Sequence, residues 1–146
     1  AAVMGMDLVN NTPQNLYRAA MEGATYTLKH GFDAFAAAGM AFDSIVLTGG
    51  GGKSAAWRQM VADVFNLPVE VPLQTEGAAF GAALQALWSL RHEQGDVLDL
   101  PTLVLEHVAT DASLSAQPDP ARAADYSRHY TRFLQHLDAV RPLYAA

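Results

Sequence analysis

The stretch that decides the fold is Ser44-Ile45-Val46-Leu47-Thr48-Gly49-Gly50-Gly51-Gly52-Lys53-Ser54. A short apolar run closed by four glycines reads as a central β-strand, Ser44 to Thr48, buried on both faces. Beyond it, Ser54 to Phe65 carries Trp57, Met60, Val61 and Val64 on one helical face. Leu67 to Val71 is a second short strand with Pro68 at its start. Thr75 then caps a helix from Glu76 to about Leu90, with the stripe Phe80, Leu84, Leu87 and Trp88. Strand, helix, strand, helix in this tight order predicts an α/β layer with a right-handed crossover.

Upstream, Thr12 followed by Pro13 is a helix start, a hydroxyl cap before a proline at the first helical position. Leu16, Ala20, Ala24 and Leu28 recur every fourth residue and predict a buried face, with Tyr17 and Met21 beside it. The pattern runs through Phe32 and Phe35 to Ala38 and stops at Gly39. Gly31 marks a candidate break, and Gly23, between Ala20 and Ala24, suggests close packing against another element. Downstream, Arg91 to Gln117 shows no clear period, and Leu100-Pro101 argues against a long helix there. Asp119-Pro120 then opens a last helix with Ala123, Tyr126, Tyr130, Phe133, Leu137 and Val140 on its apolar face, ending before Pro142. The organisation is therefore residues 1–90 as an α/β core, 91–117 as an irregular connection and 118–144 as a C-terminal helix.

Composition narrows the functions. The chain has 146 residues, suited to one core, and 51% are apolar, which argues against disorder. It starts at Ala1 rather than methionine, which suggests a processed product or, as the favoured expectation, an excised piece. A net charge of -6 with nine basic residues gives no electrostatic footprint for nucleic acid or anionic lipid. With no cysteine there is no disulfide, zinc-thiolate site or thiol nucleophile, a composition compatible with a cytosolic protein. No apolar run approaches the length of a membrane span.

The glycine turn is where chemistry is expected. Glycines between a strand and a helix let a ligand approach the backbone, and the helix that follows offers unpaired N–H groups to an anion or a polar ring edge. A phosphate-cradling P-loop would need its first glycine at Leu47, so Gly52-Lys53-Ser54 supplies only the end of that motif. A dinucleotide fingerprint would need its third glycine at Ser54 and an acidic residue forced onto Glu70. The alternative to a site is a tight turn with no ligand, although a purely structural turn seldom needs four adjacent glycines.

Three ordered segments together resemble the FGGY carbohydrate kinases. Leu47 to Met60 resembles that family's adenosine-side motif, followed by Ala62-Asp63-Val64-Phe65-Asn66-Leu67-Pro68-Val69. Glu76-Gly77-Ala78-Ala79-Phe80-Gly81-Ala82-Ala83-Leu84 resembles the helix start that comes next. Val3, Gly5 and Met6, then Asn15 to Glu22, resemble the family's C-terminal signature. The match runs in order from residue 1 to about 90 and more loosely to the end. The segments Asn11 to Leu16 and Tyr126 to Tyr144 look like the ketopentose kinases of the family.

The resemblance implies part of the C-terminal nucleotide-binding domain of the actin-like ATPase (ribonuclease H-like) fold, in a cytoplasmic two-domain kinase. It implies ATP with Mg2+ carried on the nucleotide, a sugar partner, and transfer of the γ-phosphoryl group to a sugar hydroxyl. Gly49, Gly50 and Gly51 would lie against the adenosine and phosphate side, with Lys53 and Ser54 near the base or ribose. The family's aspartate base, first phosphate hairpin and sugar contacts have no counterpart here. Asp7, Asp43, Asp63 and Asp96 do not stand in the base motif, so no residue of this chain is assigned as catalytic.

The remaining candidates read as structural. Glu22 is expected to serve packing or hydrogen bonding, and Glu76 to favour a helix start. His30, His92, His107, His129 and His136 show no converging metal-ligand spacing. Trp57, Trp88, Tyr126, Tyr130 and Phe133 fall on helical stripes and are expected in the core, with a homodimer contact through the last helix as the alternative.

Overall fold

The structure, a computed structural model, describes residues 2–74 and 76–144. The elements are α1 (Pro13–Ala37), β1 (Ile45–Val46), α2 (Gly50–Lys53), α3 (Ala55–Phe65), β2 (Val69–Glu70), α4 (Gly77–Glu93), α5 (Leu100–His107) and α6 (Pro120–Val140). Single 3-10 turns lie at Ala112–Leu114 and Arg141–Tyr144.

The caps expected from sequence form at two helices. Thr12 accepts the Asn15 N–H at α1, and Asp119 accepts those of Ala121 and Arg122 at α6. Thr75, expected to cap α4, lies outside the described residues; Glu76 stands at the N-cap without a side-chain capping bond. α1 runs unbroken through Gly31. A Cβ placed on Gly23 would meet nothing within 4 Å, so the packing expected there is not supplied by the described residues.

α3 is the centre of the molecule. Met60 to Val64 are all buried, so this helix is covered on more than one side. One cluster joins Met60 and Val64 to Met21 and Tyr26 of α1 and to Tyr126 and Tyr130 of α6. A second joins Val61 and Ala62 to Val69 and Ala116, with Ile45 and Leu47 packed against it. The α6 aromatics Tyr126, Tyr130 and Phe133 thus pack inside the chain, against α1 and α3. Asn66 ends α3 in the left-handed region at φ 53°, ψ 42°, which turns the chain back into β2.

β1 and β2 pair in parallel, Ile45 opposite Val69 and Val46 opposite Glu70, with α2 and α3 making the crossover between them. The other side of β2 is covered by residues 109–116, which run antiparallel to it. Val69 and Ala116 exchange both backbone hydrogen bonds at 2.8 and 2.9 Å, and Asp111 N–H donates to Val71 O at 2.8 Å.

Three expectations need correction. β1 is not buried on both faces, since Val46 is 56% exposed; no element among the described residues covers that side. On α1 the buried face is Met21, Thr25 and Tyr26, whereas Leu16 and Leu28 are 41% and 58% exposed. Periodicity reports that a face is apolar, not that this chain covers it. The connection at 91–117 is not wholly irregular, because α5 forms with Asp99 accepting the Thr102 N–H and Pro101 in the first turn. Proline there lacks only an N–H that has no intrahelical partner anyway.

Candidate functional site

The four glycines do not form an open loop. Gly49 adopts φ 72°, ψ -155°, a conformation closed to L side chains, and starts a single helical turn, Gly50–Lys53. Gly52 N–H donates to Gly49 O at 3.2 Å, and Ser54 N–H to Gly51 O at 3.2 Å. Ser54 is extended at φ -91°, ψ 110°, which separates α2 from α3. Its hydroxyl accepts the Trp57 N–H at 3.3 Å and so caps α3.

The glycines differ in what the fold asks of them. A Cβ on Gly52 would stand 2.9 Å from Leu47 O and 3.3 Å from Val71 Cγ1, so that position must be glycine for space. Gly49 must be glycine for its φ. At Gly50 a Cβ would meet nothing within 4 Å, and at Gly51 only ordinary contacts with Leu47 and Trp57 at 4.0 Å. Nothing among the described residues requires either inner position to lack a side chain.

The turn borders a cavity. Thr48, Gly49, Lys53, Leu73, Asp111 and Leu114 are among the residues that line it. Asp111 is held there by its own turn: the Ser113 hydroxyl and N–H donate to its Oδ1 at 2.6 and 2.9 Å. Those bonds hold the Asp111 carboxyl below its ordinary value, and the positive charge of Arg58 adds to the effect. Arg58 itself is 9% exposed and donates from Nη1 to Gly52 O at 2.7 Å.

The profile described as the FGGY family of carbohydrate kinases, C-terminal domain, matches residues 1–90. The chain belongs to this family. Among FGGY relatives, the chain is 41% identical over 140 residues to the xylulose kinase of Haemophilus influenzae, covering 96% of this chain and 27% of that protein. Among solved structures, the xylulose kinase of Rhodospirillum rubrum superposes with a TM-score of 0.79 at 28% identity, over 96% of this chain and 27% of that one. The gluconate kinase of Lactobacillus acidophilus gives 0.81 at 23% identity, over 95% and 27%, and speaks for the fold alone. The chain therefore spans about a quarter of the length of these FGGY proteins. Its α/β arrangement is part of the actin-like ATPase fold they share.

Gly49, Gly50, Gly51, Lys53 and Ser54 are brought together within one turn and its boundary. Lys53 is exposed at the end of the turn, while the Ser54 hydroxyl is already engaged as a cap. Sequence reasoning did not single out Arg58, Leu73, Asp111 or Leu114. Asp111-x-Ser113 is an Asx-turn pattern that could have flagged the loop. Nothing in the sequence signals that residues 109–116 return beside β2. Glu22 pairs with Arg18 at 2.8 Å, a structural use.

The glycine turn offers backbone N–H groups rather than a cluster of metal-ligating side chains. The first N–H groups of a helical turn lack intrahelical partners, and at Gly50 no side chain screens them. Among the described residues no three His, Asp or Glu side chains gather as metal ligands. None of the described helices is long and apolar enough to cross a membrane.

Proposed function

We propose that this chain supplies the nucleotide side of an ATP-dependent sugar kinase that converts D-xylulose to D-xylulose 5-phosphate in the cytoplasm. The observation that carries the reading is that Gly50 and Gly51 are bare without a packing reason among the described residues, in a turn whose Gly49, Gly52 and Lys53 line a cavity, within a family of carbohydrate kinases. Gly49, Gly50 and Gly51 would admit the nucleotide against the backbone. Lys53 would add a positive charge near it, and Ser54 would hold the start of α3 in place behind it.

The nucleotide, bound with magnesium, supplies the phosphoryl group. The sugar C5 hydroxyl forms the new P–O bond as the bond to the ADP oxygen breaks. The acid–base residue that takes the hydroxyl proton and the contacts that hold the sugar come from outside these residues. The chain alone is expected to bind nucleotide weakly and to turn over nothing.

The choice of sugar rests on the 41% identity to a xylulose kinase. The second reading is a kinase for another sugar or polyol of the family, or a non-catalytic nucleotide-binding or dimerisation module. Calorimetric titration with Mg–ADP, beside a Gly50→Val variant, tests the nucleotide site. Binding that the variant abolishes supports it; binding unaffected by the valine refutes the glycine turn as the site. A coupled assay of the complete kinase over a panel of sugars tests the substrate, and preference for a sugar other than D-xylulose refutes that part. Sugar-dependent ADP release by this chain alone refutes the division of labour.

A further inference from the structure

Arg58, Asp63 and Thr25 are the buried polar or charged side chains among the described residues. Thr25 bonds within its own helix, to Met21 O at 2.8 Å. Asp63 faces the start of α6. Only Arg58 turns toward the glycine turn. Burying a guanidinium is costly unless it is well paired, so a residue kept at this place needs a reason.

The geometry around Gly52 gives one. Gly52 sits against Leu47 O with no room for a Cβ, and its N–H is held by Gly49 O. Its carbonyl lies near the end of α2, where the extended Ser54 prevents α3 from continuing the helix and supplying an N–H. Arg58, one turn into α3, reaches back and donates to that carbonyl at 2.7 Å. A charged donor makes the stronger class of hydrogen bond. The same positive charge acts on Asp111, which lines the cavity.

We propose that Arg58 is the positioning residue of the glycine turn: by fixing the Gly52 carbonyl from inside the fold, it sets where Gly50 and Gly51 present their backbone to the nucleotide. The inference rests on the nucleotide reading above and adds the part that holds the turn. Arg58 touches no ligand in this scheme; it acts through Gly52.

The test is Mg–ADP titration and thermal unfolding of the parent protein, Arg58→Met, Arg58→Lys and Tyr130→Phe. Tyr130 lies in the α1–α6 cluster, so its variant controls for plain loss of stability. The expected result is about tenfold weaker binding for Arg58→Met, recovery to within about threefold for Arg58→Lys, and parental affinity for Tyr130→Phe despite its lower Tm. If Arg58→Met melts below the assay temperature, Arg58→Gln replaces it with the same expectation. Parental affinity in the variant lacking the charge overturns the inference while leaving the nucleotide site standing. So does a lysine variant no better than the methionine one. Absence of binding by the parent protein refutes the nucleotide reading itself, and this inference with it.

Discussion

The Asp63 carboxylate accepts the backbone N–H of Asp119 at 2.9 Å, joining α3 to the start of α6 across 56 residues of chain. The same Oδ1 accepts Gln59 Nε2 at 2.8 Å, and Gln59 in turn donates to Gln117 O at 2.8 Å. Arg122 stands 3.7 Å from Oδ2. One face of α3 thus clamps residues 117–119 and sets the direction in which α6 leaves.

Asp63→Ala should therefore cost about 2 kcal/mol, because it orphans the partly buried Asp119 N–H, and Asp63→Asn about 1 kcal/mol, because one acceptor oxygen remains. Urea unfolding measures the difference. Equal stability of the alanine variant and the parent would show that the clamp contributes nothing.

The glycine turn makes predictions of opposite sign. Gly50→Ala meets open space in a helical turn and should raise stability by roughly 0.5 kcal/mol while weakening Mg–ADP binding. Gly52→Ala drives a methyl to 2.9 Å from Leu47 O and should lower stability by about 2 kcal/mol. Thermal melts read both; a Gly52→Ala protein as stable as its parent contradicts the packing account.

The Tyr130 hydroxyl donates to Asp33 Oδ2 at 2.7 Å, linking α6 to α1. Burial alone would raise the Asp33 carboxyl, but Tyr130 and Lys29 outweigh it and hold the group below its ordinary value. Burial, then the bond to Asp33, push the Tyr130 phenol well above its own. For Asp33 the contribution is present above about pH 4 and lost as pH falls through its depressed pKa. For Tyr130 it is present below about pH 10 and lost as pH rises through its raised one. Tyr130→Phe should cost about 1 kcal/mol near neutrality, a modest figure because Asp33 is partly solvated, and the deficit should shrink toward pH 2. A deficit that is constant with pH would assign the loss to packing instead.

Asn66 holds a left-handed conformation that a residue with a Cβ seldom adopts. Asn66→Ala should lose about 1 kcal/mol, while Asn66→Gly should stay within ~0.5 kcal/mol of the parent. The same unfolding curves check it, and an alanine variant of unchanged stability would show that the turn into β2 carries no strain.

The legible parts of the fold were those written locally. Thr12-Pro13 and Asp119-Pro120 each place a cap oxygen and a fixed φ at one point, and both helices start there. Asp99 with Leu100-Pro101 carries the same signal, but Pro101 reads as a breaker when the cap before it is passed over. Burial was less legible. Leu16 and Met21 lie on neighbouring faces of α1, and only the positions of α3 and α6 decide that Met21 goes inside. The glycine turn marked a candidate site through composition. Arg58 and Asp111 did not, because their relation to it depends on a reach back along α3 and on the antiparallel return of residues 109–116.

The unequal demands on the glycines also say how the turn can be re-engineered. Positions 49 and 52 form a frame, and positions 50 and 51 form the window inside it. A library that randomises the window samples ligand preference against a constant scaffold, so its survivors can be sorted by what they bind. A library that randomises the frame is a selection for foldedness, and its survivors carry little information about the ligand.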